Sequence, residues 1–88
     1  MVERELMLTN NAGLHARPAA QFVQKAAGFK SKIRITAGAK TIDGKSILSI
    51  LSLGLNKGKT FILQADGQDE VECIAALEDL VQSKFGEE

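Results

Sequence analysis

From Lys32 to Ala37 the chain alternates without a break. Ile33, Ile35 and Ala37 fall on one side, and Lys32, Arg34 and Thr36 on the other. A period of two belongs to a strand buried on one face only. The charged side must stay in water, so this strand sits in a sheet that is covered on one side. That requirement narrows the choice of fold to helices stacked on a single sheet face.

The rest of the chain supplies those elements. Residues 2–8 are short and apolar-rich and run into the polar Thr9, Asn10 and Asn11, so they read as a strand followed by a loop. Between Ala16 and Ala27, the apolar Ala19, Phe22, Val23 and Ala26 follow the i, i+3, i+4, i+7 spacing of an amphipathic helix, with Gly28 just past its end. Gly38 allows a tight turn into a strand at Lys40–Asp43. Residues 46–53 read as a short helix capped by Ser46 and closed by Gly54. Residues 60–65 place Phe61, Leu63 and Ala65 on one face of a further strand. After the Asp66, Gly67 turn, Asp69 and Glu72 are spaced as a capping box for a last helix. Its apolar positions are Val71, Ile74, Ala75, Leu77 and Val81; Lys84 and Gly86 end it, and Glu87 and Glu88 fray. The order is βαββαβα, an α+β arrangement with an antiparallel or mixed sheet.

At 88 residues the chain is one domain, 1–88, with a modest core. Eleven Lys and Arg balance eleven Asp and Glu, so no basic excess points to nucleic acid or anionic lipid. The charged start, Glu3, Arg4 and Glu5, does not suit a signal peptide, and no apolar run approaches the ~20 residues of a membrane span. The single Cys73 makes neither an internal disulfide nor a metal cluster, and reads as a small core residue. These features point to a cytoplasmic monomer with no cofactor, no metal and no membrane insertion. Lys25, Lys30, Lys32 and Arg34 read as a solvated face.

The chain's only histidine and only proline, His15 and Pro18, lie three positions apart with Arg17 between them, where the first helix begins. With His15 as N-cap, the N–H groups of Ala16 and Arg17 have no helical partner and, with the helix dipole, form an anion site. Pro18 costs little in the first turn, and it pushes Arg17 away from helical geometry, toward the imidazole. Gly13 lets the preceding loop approach closely. A neutral imidazole can attack a phosphoryl donor. The phosphohistidine formed would then lie beside the helix end and a guanidinium suited to phosphate. No Ser or Asp is placed to make a hydrolytic triad with His15.

Gly13, Leu14, His15, Ala16, Arg17, Pro18 and Ala19 resemble the active-site signature of the HPr family, the histidine phosphocarriers of the bacterial sugar phosphotransferase system. Lys45, Ser46, Ile47, Leu48, then Ser52, Leu53, Gly54, Leu55, and Lys57 with Gly58 resemble its second signature, around a regulatory serine. The resemblance covers essentially the whole chain. It implies an open-faced β-sandwich, a four-stranded antiparallel sheet covered on one face by three helices. It implies a carrier rather than an enzyme. His15 takes a phosphoryl group on Nδ1 from phosphorylated enzyme I, itself charged by phosphoenolpyruvate, and passes it to the IIA domains of sugar transporters. Arg17 is then the phosphate partner, and the amides of Ala16 and Arg17 are donors to it. The chain departs from the pattern at Ala12, where many members carry Ser or Asn.

By the same resemblance, Ser46 is a phosphorylation site for HPr kinase/phosphorylase, with a transcriptional regulator as a further partner. As an N-cap alone, Ser46 contributes roughly 1 kcal/mol. A phosphate is tolerated at a helix N-terminus, and here its charge would repel acidic partner surfaces. The short helix carries more apolar residues than one buried stripe can hold. Ile50 and Leu53 are assigned to the core, which leaves Ile47, Leu48 and Leu51 exposed as a docking patch. Arg17, Ala20, Gln21 and Gln24 form the other half of that footprint.

Two other readings compete. A regulatory, nitrogen-type relay would use the same His15 chemistry without sugar flux. A ferredoxin-like binding module shares the βαββαβ order. The four aromatics are all Phe and show no paired stacking positions for bases, and no Cys-x-x-Cys is present for a metal carrier.

Overall fold

A computed structural model describes residues 1–86. Its elements are β1 (Val2–Met7), α1 (Ala16–Ala27), β2 (Lys32–Ala37), β3 (Lys40–Asp43), α2 (Ile47–Ser52), β4 (Thr60–Asp66) and α3 (Glu70–Gln82), followed by a 3-10 turn at Lys84–Gly86. The reading of Glu87 and Glu88 as frayed lies outside the described residues. The strands form one sheet in the order β1-β4-β2-β3, and all three pairings are antiparallel. The sheet expected from the resemblance is therefore the one observed.

Register sets which side chains share a face. Leu6 lies opposite Phe61, Leu63 opposite Ile35, and Ala65 opposite Ile33. Ile35 also faces the half-buried Ile42 on β3. This apolar layer is closed by Phe22 and Ala26 of α1, Ile50 of α2, and Ile74, Leu77 and Val81 of α3. The opposite face carries Glu3, Gln64, Arg34 and Asp43 as one cross-strand row, and Lys32 beside Asp66 as another. Lys25, Lys30, Lys32 and Arg34 are all exposed. The period-two pattern thus sorts the sheet into a dry face and a wet one.

In the last quarter of the chain, three local expectations need correction. Asp69 is the N-cap residue of α3, but its side chain makes no cap bond. Its carboxylate instead accepts from the N–H groups of Lys30 (2.8 Å) and Ser31 (3.0 Å) and from the Ser31 hydroxyl (2.5 Å). The Gly67 N–H is taken by Glu70 (3.1 Å). A carboxylate that can reach a loop with three donors is better satisfied there than on its own helix, so the capping box does not form. The buried stripe of α3 is Cys73, Ile74, Leu77 and Val81; Ala75 is exposed and Val71 is 64% exposed. Cys73 takes the core position, and burial pushes its thiol up to about 11. Finally, the chain leaves α3 through Lys84 (φ 60°) and Phe85 (φ 56°), both left-handed, and this turn buries the Phe85 ring. Burial of a large ring offsets backbone strain of about 1–3 kcal/mol per residue.

Candidate functional site

The site stands at the start of α1. His15 is the N-cap, with extended backbone (φ −89°, ψ −165°), and its carbonyl accepts the first helical bond from Ala19 at 2.9 Å. Its side chain caps nothing, and the first turn holds no acidic residue. The N–H groups of Ala16 and Arg17 therefore meet neither a helical carbonyl nor a local carboxylate. His15, Ala16 and Arg17 are exposed, while Pro18 and Ala19 are buried and anchor the turn. Arg17 lies within α1, so Pro18 does not expel it from helical geometry. Neither ion pair among the described residues involves Arg17. Among the described residues, the arrangement is an exposed imidazole, two unengaged amides and a free guanidinium at the positive end of a helix.

The loop before His15 is held from behind. Asn10 is fully buried, and its Nδ2 donates to the Gly13 carbonyl at 2.9 Å. The Gly13 N–H returns to the Asn10 carbonyl at 3.2 Å. Gly13 has φ +67°, and a Cβ there would lie 2.5 Å from the Leu55 carbonyl oxygen and 2.7 Å from Asn56 Cα. The close approach expected of Gly13 is thus required twice, by its dihedral and by its neighbour. Leu14 N–H donates to Leu55 O at 2.9 Å, Gly58 N–H to Leu8 O at 2.8 Å, and Lys57 Nζ to Asn11 Oδ1 at 3.0 Å. The segment after α2 therefore braces the histidine loop along its length. Sequence reasoning took Asn10 for an ordinary polar loop residue. A signal was available, since Asn is favoured where a side chain must bond its own loop's backbone.

Ser46 caps α2 as expected, its Oγ accepting from Ser49 N–H at 3.3 Å. It is half-buried rather than open. Beside it, Lys45 Nζ is engaged by the Phe29 carbonyl at 2.8 Å, and Lys45 N–H by Asp43 Oδ1 at 2.9 Å. Ile50 is buried, as assigned, whereas Leu53, assigned to the core with it, is half-buried and packs against the core. Ile47, Leu48 and Leu51 are 36%, 77% and 37% exposed. Helices α1 and α2 pack on each other, so this patch lies on a neighbouring helix to Ala20 and Gln21, both half-buried, and the exposed Gln24.

An open-faced α+β sandwich that presents one exposed histidine at an uncapped helix start defines a class of small, histidine-centred proteins. The model of the family described as "PTS HPr component phosphorylation site" matches residues 2–83. The phosphocarrier protein HPr of Treponema pallidum is 40% identical over the full length of both chains. The crystal structure of an HPr from Thermoanaerobacter tengcongensis is 50% identical, covers 100% of this chain and 99% of its own, and superposes with a TM-score of 0.97. A crystal structure described as an HPr dimer from the same organism is 49% identical, covers 99% of this chain and all of its own, and gives 0.80. The chain belongs to the HPr family of phosphocarriers of the phosphotransferase system.

Proposed function

We propose that His15 is the residue on which this phosphocarrier carries its phosphoryl group. The observation that supports it most directly is the pairing of an exposed, uncommitted imidazole with the free N–H groups of Ala16 and Arg17. A ring nitrogen, Nδ1 by family resemblance, uses its lone pair to form a bond to phosphorus. The bond from phosphorus to the donor nitrogen of phospho-enzyme I breaks, and that nitrogen keeps the electron pair. The oxygens of the new phosphohistidine then accept from the two amides and from the Arg17 guanidinium. The bond stays labile, and a IIA domain removes the group by the reverse chemistry. His15 is a covalent way-station, and the partner enzymes supply most of the transfer machinery.

The apolar patch of Ile47, Leu48 and Leu51, with Ala20, Gln21 and Gln24, is the docking surface for enzyme I and IIA domains on this reading. Ser46 is the regulatory input, for a kinase and a transcriptional regulator that reads the phosphorylated form. No helix among the described residues is long and apolar enough to cross a membrane, which fits a carrier working in the cytoplasm. The chain is proposed to work as a monomer. Sedimentation at working concentration tests that state, since one relative is described as a dimer.

The deciding experiment is intact mass after incubation with phosphoenolpyruvate and a general enzyme I, with His15→Ala as control. One acid-labile phosphoryl group on the parent and none on the variant is the expected result. A parent that stays unmodified beside an active enzyme I and a positive-control carrier overturns the reading.

A further inference from the structure

Residues 10–14 are built around one peptide unit. The carbonyl of Gly13 and the N–H of Leu14 belong to the same plane. The carbonyl accepts from Asn10 Nδ2 at 2.9 Å, and the N–H donates to Leu55 O at 2.9 Å. The unit is thus gripped at both ends, by one group from within the loop and one from the segment after α2. Leu14, immediately before His15, is itself buried at 2% exposure. The chain therefore enters His15 from a fixed point in a fixed orientation.

The amide of Asn10 is not needed to make the turn. The Gly13 N–H to Asn10 O bond uses backbone alone and would form with any residue there. A fully buried amide carries a desolvation cost unless it is hydrogen-bonded. Its bond goes to the peptide two residues ahead of the imidazole. A carbonyl can only accept, so the group that Asn10 presents to Gly13 is its NH2. Ala12, in the same loop, is exposed and has no polar side-chain atom to share the task.

The geometry points to Asn10 as a positioning residue for the His15 phosphoryl step, fixing the Gly13–Leu14 peptide so that the imidazole and the Ala16 and Arg17 amides address the same phosphate. This rests on His15 being the acceptor. Asn10 touches no reactant. It acts through the backbone, where a displacement of about 1 Å can cost on the order of a hundredfold in rate. The docking patch proposed on α1 and α2 does not include Asn10, Gly13 or Leu14, and should still engage enzyme I when the bond is lost.

The test compares Asn10→Ala and Asn10→Asp with the parent in transfer from phospho-enzyme I, with kcat and KM measured separately and each variant first shown to be folded by a cooperative melt. Asn10→Ala is expected to lower kcat about ten- to a hundredfold with KM within about twofold. Asn10→Asp keeps the shape, but donates to Gly13 O only while its carboxyl is protonated. Its kcat should be near the parent's at low pH and fall as pH rises, a profile that a packing role would not produce. A parent that accepts no phosphoryl group sinks the His15 reading and this inference with it. A parent that works, with Asn10→Ala equally fast, sinks the inference alone. So does a loss confined to KM, or an Asn10→Asp profile parallel to that of the parent. Should Asn10→Ala not fold, the Asn10→Asp profile decides.

Discussion

Helices α1 and α2 begin in opposite ways. The Ser46 hydroxyl accepts from Ser49 N–H, so the second helix is capped by the residue just before it. His15 makes no such bond, and the first helix starts with its amides unclaimed. A side-chain cap contributes about 1 kcal/mol, and α1 forgoes it. The shortfall is offset behind the helix, where Pro18, Ala19 and Phe22 are buried and the loop is clamped through Leu14 to Leu55 and through Leu8 to Gly58. A helix terminus can close its own donors or offer them to an anion, but the same donors cannot do both. The closed end belongs to the residue proposed for regulation, and the open end to the residue proposed for carriage.

The sharpest way to break this contrast is to make the first helix start like the second. His15→Ser supplies a good N-cap. It should raise stability by roughly 0.5–1 kcal/mol in a denaturant melt while abolishing acid-labile phosphorylation. An unchanged or lower stability would mean that the α1 terminus is not the unsatisfied end described above. Next in size is Arg17→Ala. The side chain is exposed and outside both ion pairs, so the melting temperature should hold. Losing a charge-assisted bond of about 1.5–3 kcal/mol should slow transfer about ten- to a hundredfold. Equal rates would remove Arg17 from the site. Ser46→Ala is smaller again. It should cost about 1 kcal/mol of stability and leave transfer to His15 within about twofold.

What could be read from the chain follows the range of the interactions involved. The strands, the α1 boundaries, the His15 start and the Ser46 cap depend on neighbours within a few residues, and they are legible as periodicity and turn chemistry. Asn10 was not legible as a buried residue. Whether a polar loop side chain is covered depends on how the chain folds back on the loop, here by bonds between Leu55 and Leu14 and between Gly58 and Leu8, more than forty positions apart in sequence. Val71 and Ala75 fit a helical face by spacing, yet the sheet meets α3 along Cys73, Ile74, Leu77 and Val81. Periodicity fixes that a face exists and leaves its angle to the packing.

Asp69 offers the last test, because it misled the sequence reading and lies on the third helix start. Its carboxylate sits below its ordinary value of 3.8, chiefly through the Ser31 hydroxyl and then the Lys30 N–H. A carboxylate favoured in the folded state binds fewer protons there than in the unfolded chain. Its stabilisation is therefore fully present above the unfolded value. It is lost as pH falls through the lower folded one. The bonds join residues 30–31, just after α1, to the start of α3, so their loss should loosen that junction and leave the His15 end intact. Asn at this position can still accept at one oxygen, but without the charge. Asp69→Asn should melt below the parent at pH 6, with the gap closing toward pH 3. Transfer to His15 at neutral pH should match the parent's. A gap of the same size at both pH values would mean that the charge is not what ties α3 to the loop, and slowed transfer would mean that the third helix start is coupled to the first after all.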